Sequence, residues 1–167
     1  MKKLFFIINP VAGRGMYKQG LGEALYTLYS AGYEPTLRFT SRAGEAVELA
    51  QLSAGYDLVC CLGGDGTLSE VTSGLMALQP EQRPPIGYFP LGTANDVATT
   101  LKLPKNDPAA VARRIAEGSP MAWDVGVFGG AISKMYSLFQ TFPERVMDMP
   151  LDEKGFTGIA VGMAWMG

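Results

Sequence analysis

The 167-residue chain contains no histidine. His-based triads, imidazole metal ligands and imidazole general bases are therefore excluded from any chemistry assigned to these residues. There are two cysteines, Cys60 and Cys61, adjacent in the apolar run Leu58-Val59-Cys60-Cys61-Leu62. Neighbouring side chains of a strand point to opposite faces, which is the wrong geometry for a disulfide, so both read as small core residues. Charge is scarce and nearly balanced, with 14 Lys and Arg against 16 Asp and Glu and a net charge of -2. That leaves no cationic cluster for a nucleic acid and no polybasic stretch for an anionic membrane. No apolar run reaches membrane-spanning length. The apolar start, Leu4 to Ile8, is stopped by Asn9-Pro10 before it could serve as a signal sequence. The expectation is a cytoplasmic protein.

With 47% hydrophobic residues, the chain can bury one core, so one globular domain is expected. Leu4 to Ile8, Glu34 to Thr40, Leu58 to Leu62 and Ile86 to Pro90 read as strands, and Met121 to Phe128 as a fifth that contains Asp124. Helical spacing appears between them. Leu21, Ala24, Leu25 and Leu28 lead to a glycine stop at Gly32; Ala43, Val47 and Ala50 follow Ser41 as a cap; Leu68, Val71, Leu75 and Leu78 mark a third helix. A short helix passes through Ala98 and Leu101, and Asp107-Pro108 caps and opens another that runs to Glu117-Gly118. Strands alternating with helices predict an α/β, Rossmann-like fold with a mostly parallel sheet covered on both faces. Ligands of such sheets gather outside the carboxyl ends of the strands. The unusual loops all follow strands: Asn9 to Gly15, Thr40, Gly63 to Thr67, and Leu91 to Asp96. Four loops are thus predicted to share one edge.

The sharpest of these is Gly63-Gly64-Asp65-Gly66-Thr67. Glycines at a strand-to-helix junction let backbone N–H groups approach an anion, and the following helix offers its positive end. Asp65 would repel a phosphate without a cation between them, so it suggests either a Mg²⁺ position or the handling of a hydroxyl proton. As ordinary structure, Thr67 caps the helix and Glu70, three residues on, completes a capping box. Asn9-Pro10-x-x-Gly13-x-Gly15 has turn composition, and Arg14 and Lys18 could reach a phosphate from it. It is neither a P-loop nor a dinucleotide fingerprint, because no Gly-Lys-Ser/Thr follows and position 18 is lysine. In Pro90 to Asp96, Asn95 or Asp96 could cap the next helix, which leaves Gly92-Thr93 unaccounted for. Asp124 is either paired within its strand or placed at an exposed edge.

Taken together, Asn9-Pro10 with Gly13 and Gly15, Thr40, Gly63 to Thr67 with Glu70, Pro90-Leu91-Gly92-Thr93-Ala94-Asn95-Asp96 and Trp123-Asp124-Val125-Gly126 resemble, in order and over residues 3 to 128, the catalytic domain family of diacylglycerol kinases. That family includes bacterial lipid kinases and sphingosine kinases and is distantly related to NAD kinases. The resemblance implies an ATP-dependent lipid kinase acting on a hydroxyl of diacylglycerol or a related lipid, reached at a membrane surface, with Mg²⁺ and without nucleic acid; a homodimer is allowed. It implies that ATP lies along Asn9, Pro10, Val11, Ala12, Gly13, Thr40, Gly63, Gly64, Asp65, Gly66, Thr67, Leu68, Ser69, Glu70 and Thr93. Asp65 would face the metal, and Asp65, Asp96 and Asp124 would form an acidic network at the reaction centre. Family members continue into a second, largely antiparallel domain that carries a glutamate base. Residues 129–167 do not match it, so the expected organisation is an ATP-binding domain over 1–128 and a tail beyond, a nucleotide-binding half. A kinase of a soluble substrate such as NAD, or a binding module without catalysis, is the alternative.

Overall fold

The computed structural model describes residues 1–122. Of the predicted fifth strand, Met121 and Ala122 carry no regular structure; the rest, with Asp124, lies outside the described residues, as do residues 129–167.

Four parallel strands form one sheet: β1 (Lys2–Ile8), β2 (Tyr33–Phe39), β3 (Leu58–Gly63) and β4 (Ile86–Pro90), in the order β2-β1-β3-β4. The continuous apolar runs take the central places. Leu4 to Ile8 and all of β3 are buried, as a strand covered on both faces requires. β2 is an edge strand, only partly buried, and carries Pro35, which an edge tolerates.

The helices are α1 (Leu21–Ser30), α2 (Glu45–Gln51), α3 (Asp65–Met76), α4 (Asp96–Thr100) and α5 (Pro108–Glu117). α1 and α5 cover the face formed by Leu4, Phe6, Ile8 and Leu62, while α2 and α3 cover the face formed by Phe5, Ile7, Val59 and Cys61. Alternation along β1 thus sends successive side chains into two different cores. Both cysteines are fully buried, and burial raises both thiols far above their ordinary range, as inert core residues should show. Among the described residues no helix is long and apolar enough to cross a membrane.

Several local expectations change. Part of Asn9 to Gly15, read as loop, belongs to a 3₁₀ segment over Ala12–Lys18. α2 starts at Glu45, after Gly44 in a left-handed conformation (φ 80°), rather than after Ser41. The reason is Glu45: its carboxylate accepts from the Ser41 hydroxyl at 2.8 Å and from the Ser41 and Arg42 N–H groups, holding residues 41–44 as a separate turn. Asp107 does cap α5, accepting from the Ala110 N–H at 2.9 Å.

Candidate functional site

Beyond their last residues the strands remain tied together by backbone. The Thr40 N–H donates to the Ile8 carbonyl, Asn9 to Leu62 and Leu91 to Gly63, at 2.8 to 2.9 Å. The first residue of each loop is therefore part of the sheet's hydrogen-bond ladder, and all four loops leave from one edge. Strands β1 and β3 lie side by side, yet β1 connects onward to β2 on one flank and β3 to β4 on the other. This is the switch point at which open parallel sheets form a ligand crevice.

Side chains close the junction between the loops after β1 and β3. Asn9 accepts from the Val11 N–H at 3.1 Å through its carbonyl oxygen and donates from its amide nitrogen to the Thr67 hydroxyl at 3.0 Å. Thr67 is 6% exposed and sits inside α3. It does not cap the helix: α3 begins two residues earlier, at Asp65, and its N-cap Gly64 offers no side chain. The first-turn N–H groups of α3 consequently have neither an intrahelical acceptor nor a side-chain cap, the arrangement in which helix ends accept anions.

The glycines around this turn have different causes. A Cβ on Gly63 would overlap the Thr67 side chain, so the strand can turn into α3 only with glycine there, and one on Gly92 would lie 2.7 Å from both the Gly64 Cα and Asn95 Oδ1, so close packing of the third and fourth loops requires Gly92. Gly13, at φ 56°, presses against Leu91, whose Cγ would be 3.0 Å from its Cβ. Gly66 is exposed, has no positive φ, and a Cβ there would meet nothing within 4 Å. Packing accounts for the others; the space over Gly66 is open to a ligand.

Asp65 is tied to the fourth loop. Its carboxylate accepts from the Asp96 N–H at 3.1 Å and the Val97 N–H at 3.4 Å, so it caps α4 from a different loop. Asn95 occupies the N-cap place at φ 53° but turns its side chain inward, 2% exposed, donating to the Gly92 carbonyl at 2.8 Å. The Tyr88 hydroxyl, on β4, donates to Asn95 Oδ1 at 3.4 Å. Burial, and then the negative charge of Asp65 beside it, push the Tyr88 phenol well above its ordinary range, so it stays a protonated donor. Tyr88 and Asn95 were absent from the predicted site. Tyr88 alternates into the core as any strand residue does, and its polar tip finds partners only through tertiary contact.

Glu70 does not reach back to cap α3. Oε1 accepts from the Gly44 N–H at 3.0 Å, bridging α3 to the turn before α2. Pro10 and Ala12 are half-buried, Val11 is exposed, Leu68 packs against the α2/α3 core, and Ser69, Thr93 and Asp96 are exposed. Thr40 is half-buried at the end of β2. The predicted site residues through Asp96 thus lie along one edge, in three mutually bonded loops and one bridged turn. Asp124 lies outside the described residues. No group of three or more Asp, Glu or Cys residues is gathered among them. A Mg²⁺ held here would rely on Asp65, whose two oxygens retain lone pairs beyond the two N–H contacts, together with ligand phosphates, the usual manner of Mg²⁺ in nucleotide sites.

Known proteins resemble this chain in sequence and fold. The model of the diacylglycerol kinase catalytic domain matches residues 3–128. A diacylglycerol kinase of Bacillus subtilis (strain 168) is 37% identical over 132 residues, 78% of this chain and 43% of that protein. One from Staphylococcus epidermidis (strain ATCC 12228 / FDA PCI 1200) is 39% identical over 127 residues, 75% of this chain and 39% of that protein. The crystal structure of a diacylglycerol kinase from Bacillus anthracis str. Sterne aligns with a TM-score of 0.62 at 36% identity, covering 70% of this chain and 42% of that one. The chain spans less than half the length of these relatives. The strand-end loops and their order along the sheet are accordingly those of a shared fold, and this chain belongs to the diacylglycerol kinase catalytic domain family.

Proposed function

We propose that this chain is the ATP-binding half of a lipid kinase, which transfers the terminal phosphoryl group of ATP to a hydroxyl of diacylglycerol or a related lipid. The observation that carries the reading is the uncapped start of α3 beneath open space at Gly66, at the switch point of a parallel sheet. The names of the relatives supply the substrate class.

In this reading the N–H groups of Gly66 and Thr67 bind phosphate oxygens, and the Asn9–Thr67 bond keeps the first loop against them. Bound Mg²⁺ supplies charge neutralisation between the phosphates. Asp65 is held in one orientation by two backbone N–H groups, so its carboxylate faces the metal or the acceptor hydroxyl without reorganising. Thr40, Thr93 and the Asn9 to Gly13 segment line the remainder of the nucleotide, and Asp96 and Asp124 join Asp65 around the reacting groups. Phosphoryl transfer needs positioning and charge stabilisation above all, which is what backbone donors and fixed carboxylates provide.

The test is calorimetry with Mg-ATP together with transfer of labelled phosphate to diacylglycerol vesicles, by this chain and by its longest natural open reading frame. Binding and lipid labelling are expected from the longer protein. Labelling of NAD in place of lipid would move the reading to a soluble substrate, and binding without any transfer would make the chain a nucleotide module. Asp65→Asn keeps one acceptor for the α4 N–H groups, so the fold should survive while the rate falls about 10²-fold. Near-normal turnover would remove Asp65 from the reaction centre.

A further inference from the structure

We propose that Glu70, which the resemblance places along ATP, is instead a positioning residue: it sets where the turn that follows Thr40 lies against α3, and thereby governs nucleotide affinity without touching the nucleotide. The inference rests on the ATP reading of the site.

The segment is held by two carboxylates that do different things. Glu45 is local and bonds Ser41 and Arg42 within its own turn, which fixes the turn's shape. Glu70 lies 26 residues beyond Gly44, on another helix, and takes the Gly44 N–H at 3.0 Å. Gly44 stands at φ 80° and has open space around its missing Cβ, so at Gly44 itself the N–H contact, and no side-chain packing, ties the turn to α3. One helical turn below, on the same face of α3, Gly74 lets α2 approach until a Cβ would overlap the Val47 carbonyl oxygen and lie 2.7 Å from the Ala50 Cβ. The α2/α3 pair is therefore closed by packing at Gly74 and pinned by one hydrogen bond at Glu70. At the other end the Thr40 backbone is bound to Ile8. Between these two anchors, the path of residues 41–43 beside α3 depends on the Glu70 contact.

The bond needs an acceptor oxygen and no charge, since its donor is a neutral backbone N–H. That separates positioning from charge chemistry. Glu70→Ala removes the acceptor, whereas Glu70→Gln keeps it and removes the charge. In calorimetry with Mg-ATP on the whole chain, Glu70→Ala should weaken binding about tenfold, the weight of one charge-assisted hydrogen bond. Glu70→Gln should restore binding to within about threefold of the unmodified chain. In the active full-length protein Glu70→Ala should raise the ATP KM and leave kcat nearly constant, a split that a merely stabilising contact would not produce, while Glu70→Gln should keep the ATP KM within about threefold of the unmodified protein. Amide hydrogen exchange at Gly44 reads the geometry without nucleotide, and should accelerate in Glu70→Ala and stay slow in Glu70→Gln. Unchanged Mg-ATP affinity in Glu70→Ala, or loss in Glu70→Gln equal to that in Glu70→Ala, overturns the proposal. If the unmodified chain fails to bind Mg-ATP while the exchange pattern holds, the bridge stands and the ATP reading fails, taking with it the role in affinity.

Discussion

The two faces of the sheet are packed by different means. Against α1 and α5 the core is built from bulk: the Phe6 and Phe89 rings meet at 5.0 Å between centroids, with Leu4, Leu28 and Val111 around them. The other side also has bulk, with the Phe5 and Tyr56 rings meeting at 5.1 Å between centroids, but the two helices α2 and α3 meet through small residues, Gly74 against Val47 and Ala50. The polar bridges Glu70–Gly44 and Asp65–Asp96 belong to the second side, whose helices also carry the turn after β3. A face packed by large side chains stores stability that can be lost without disturbing the loops. A helix pair closed by small ones ties its own spacing directly to the spacing of the site.

This difference can be broken or sharpened by four measurements. The largest stability effect is expected from Phe6→Ala on the bulky face, a loss of about 3–5 kcal/mol in urea unfolding. Mg-ATP affinity of the folded fraction should stay within about twofold of the unmodified chain, because the ring's aromatic partner is Phe89, within β4, rather than a polar residue of the site loops. Gly74→Val on the other face should cost about 1–3 kcal/mol through overlap with Val47 and Ala50. It should also weaken Mg-ATP binding, since α2 must move away from α3. Retained affinity in Gly74→Val would erase the contrast between the faces. Gly66→Ala inverts the usual correlation: replacing a helical glycine with free space around it should raise stability by up to about 1 kcal/mol. The same methyl group should lower Mg-ATP affinity about tenfold by standing in the phosphate position.

The smallest effect is electrostatic. The Glu45 carboxyl is held below its ordinary value of 4.5, first by the Ser41 backbone N–H and then by the Ser41 hydroxyl. A carboxyl with a depressed pKa contributes above its unfolded value and stops contributing as pH falls through the folded one. The Ser41 amide resonance should therefore titrate with a midpoint below 4.5, and the 41–44 turn should loosen only on acidification. A midpoint at or above the ordinary value would mean that the turn is held by Gly44 and Glu70 alone.

Much of this was legible in the residues. Leu4 to Ile8 and Leu58 to Leu62 are apolar at every position, and only a strand covered on both faces can bury such a run. Gly63 to Thr67 could be recognised as a strand-to-helix turn because three glycines cluster where an apolar run ends and a helical pattern begins. The misreadings share one cause. Thr67 and Glu70 have the spacing of a capping box, yet Thr67 is engaged by Asn9 and Glu70 by Gly44. Asn95 and Asp96 have the composition of a cap, yet Asp65 supplies it. Each error assigned a polar side chain to its nearest backbone donors, when a partner distant in sequence had been brought closer by the fold.

Sequence alone therefore determined the alternation of strand and helix, the edge on which the loops gather, and the membership that the ordered motifs carry. Those follow from periodicity and glycine placement, which are local. Only the tertiary structure decided which carboxylate holds which loop, that Tyr88 and Asn95 stand behind Asp65, and which of the site glycines packing requires and which has open space over it. Such choices depend on distances between segments tens of residues apart, and a linear pattern does not contain them.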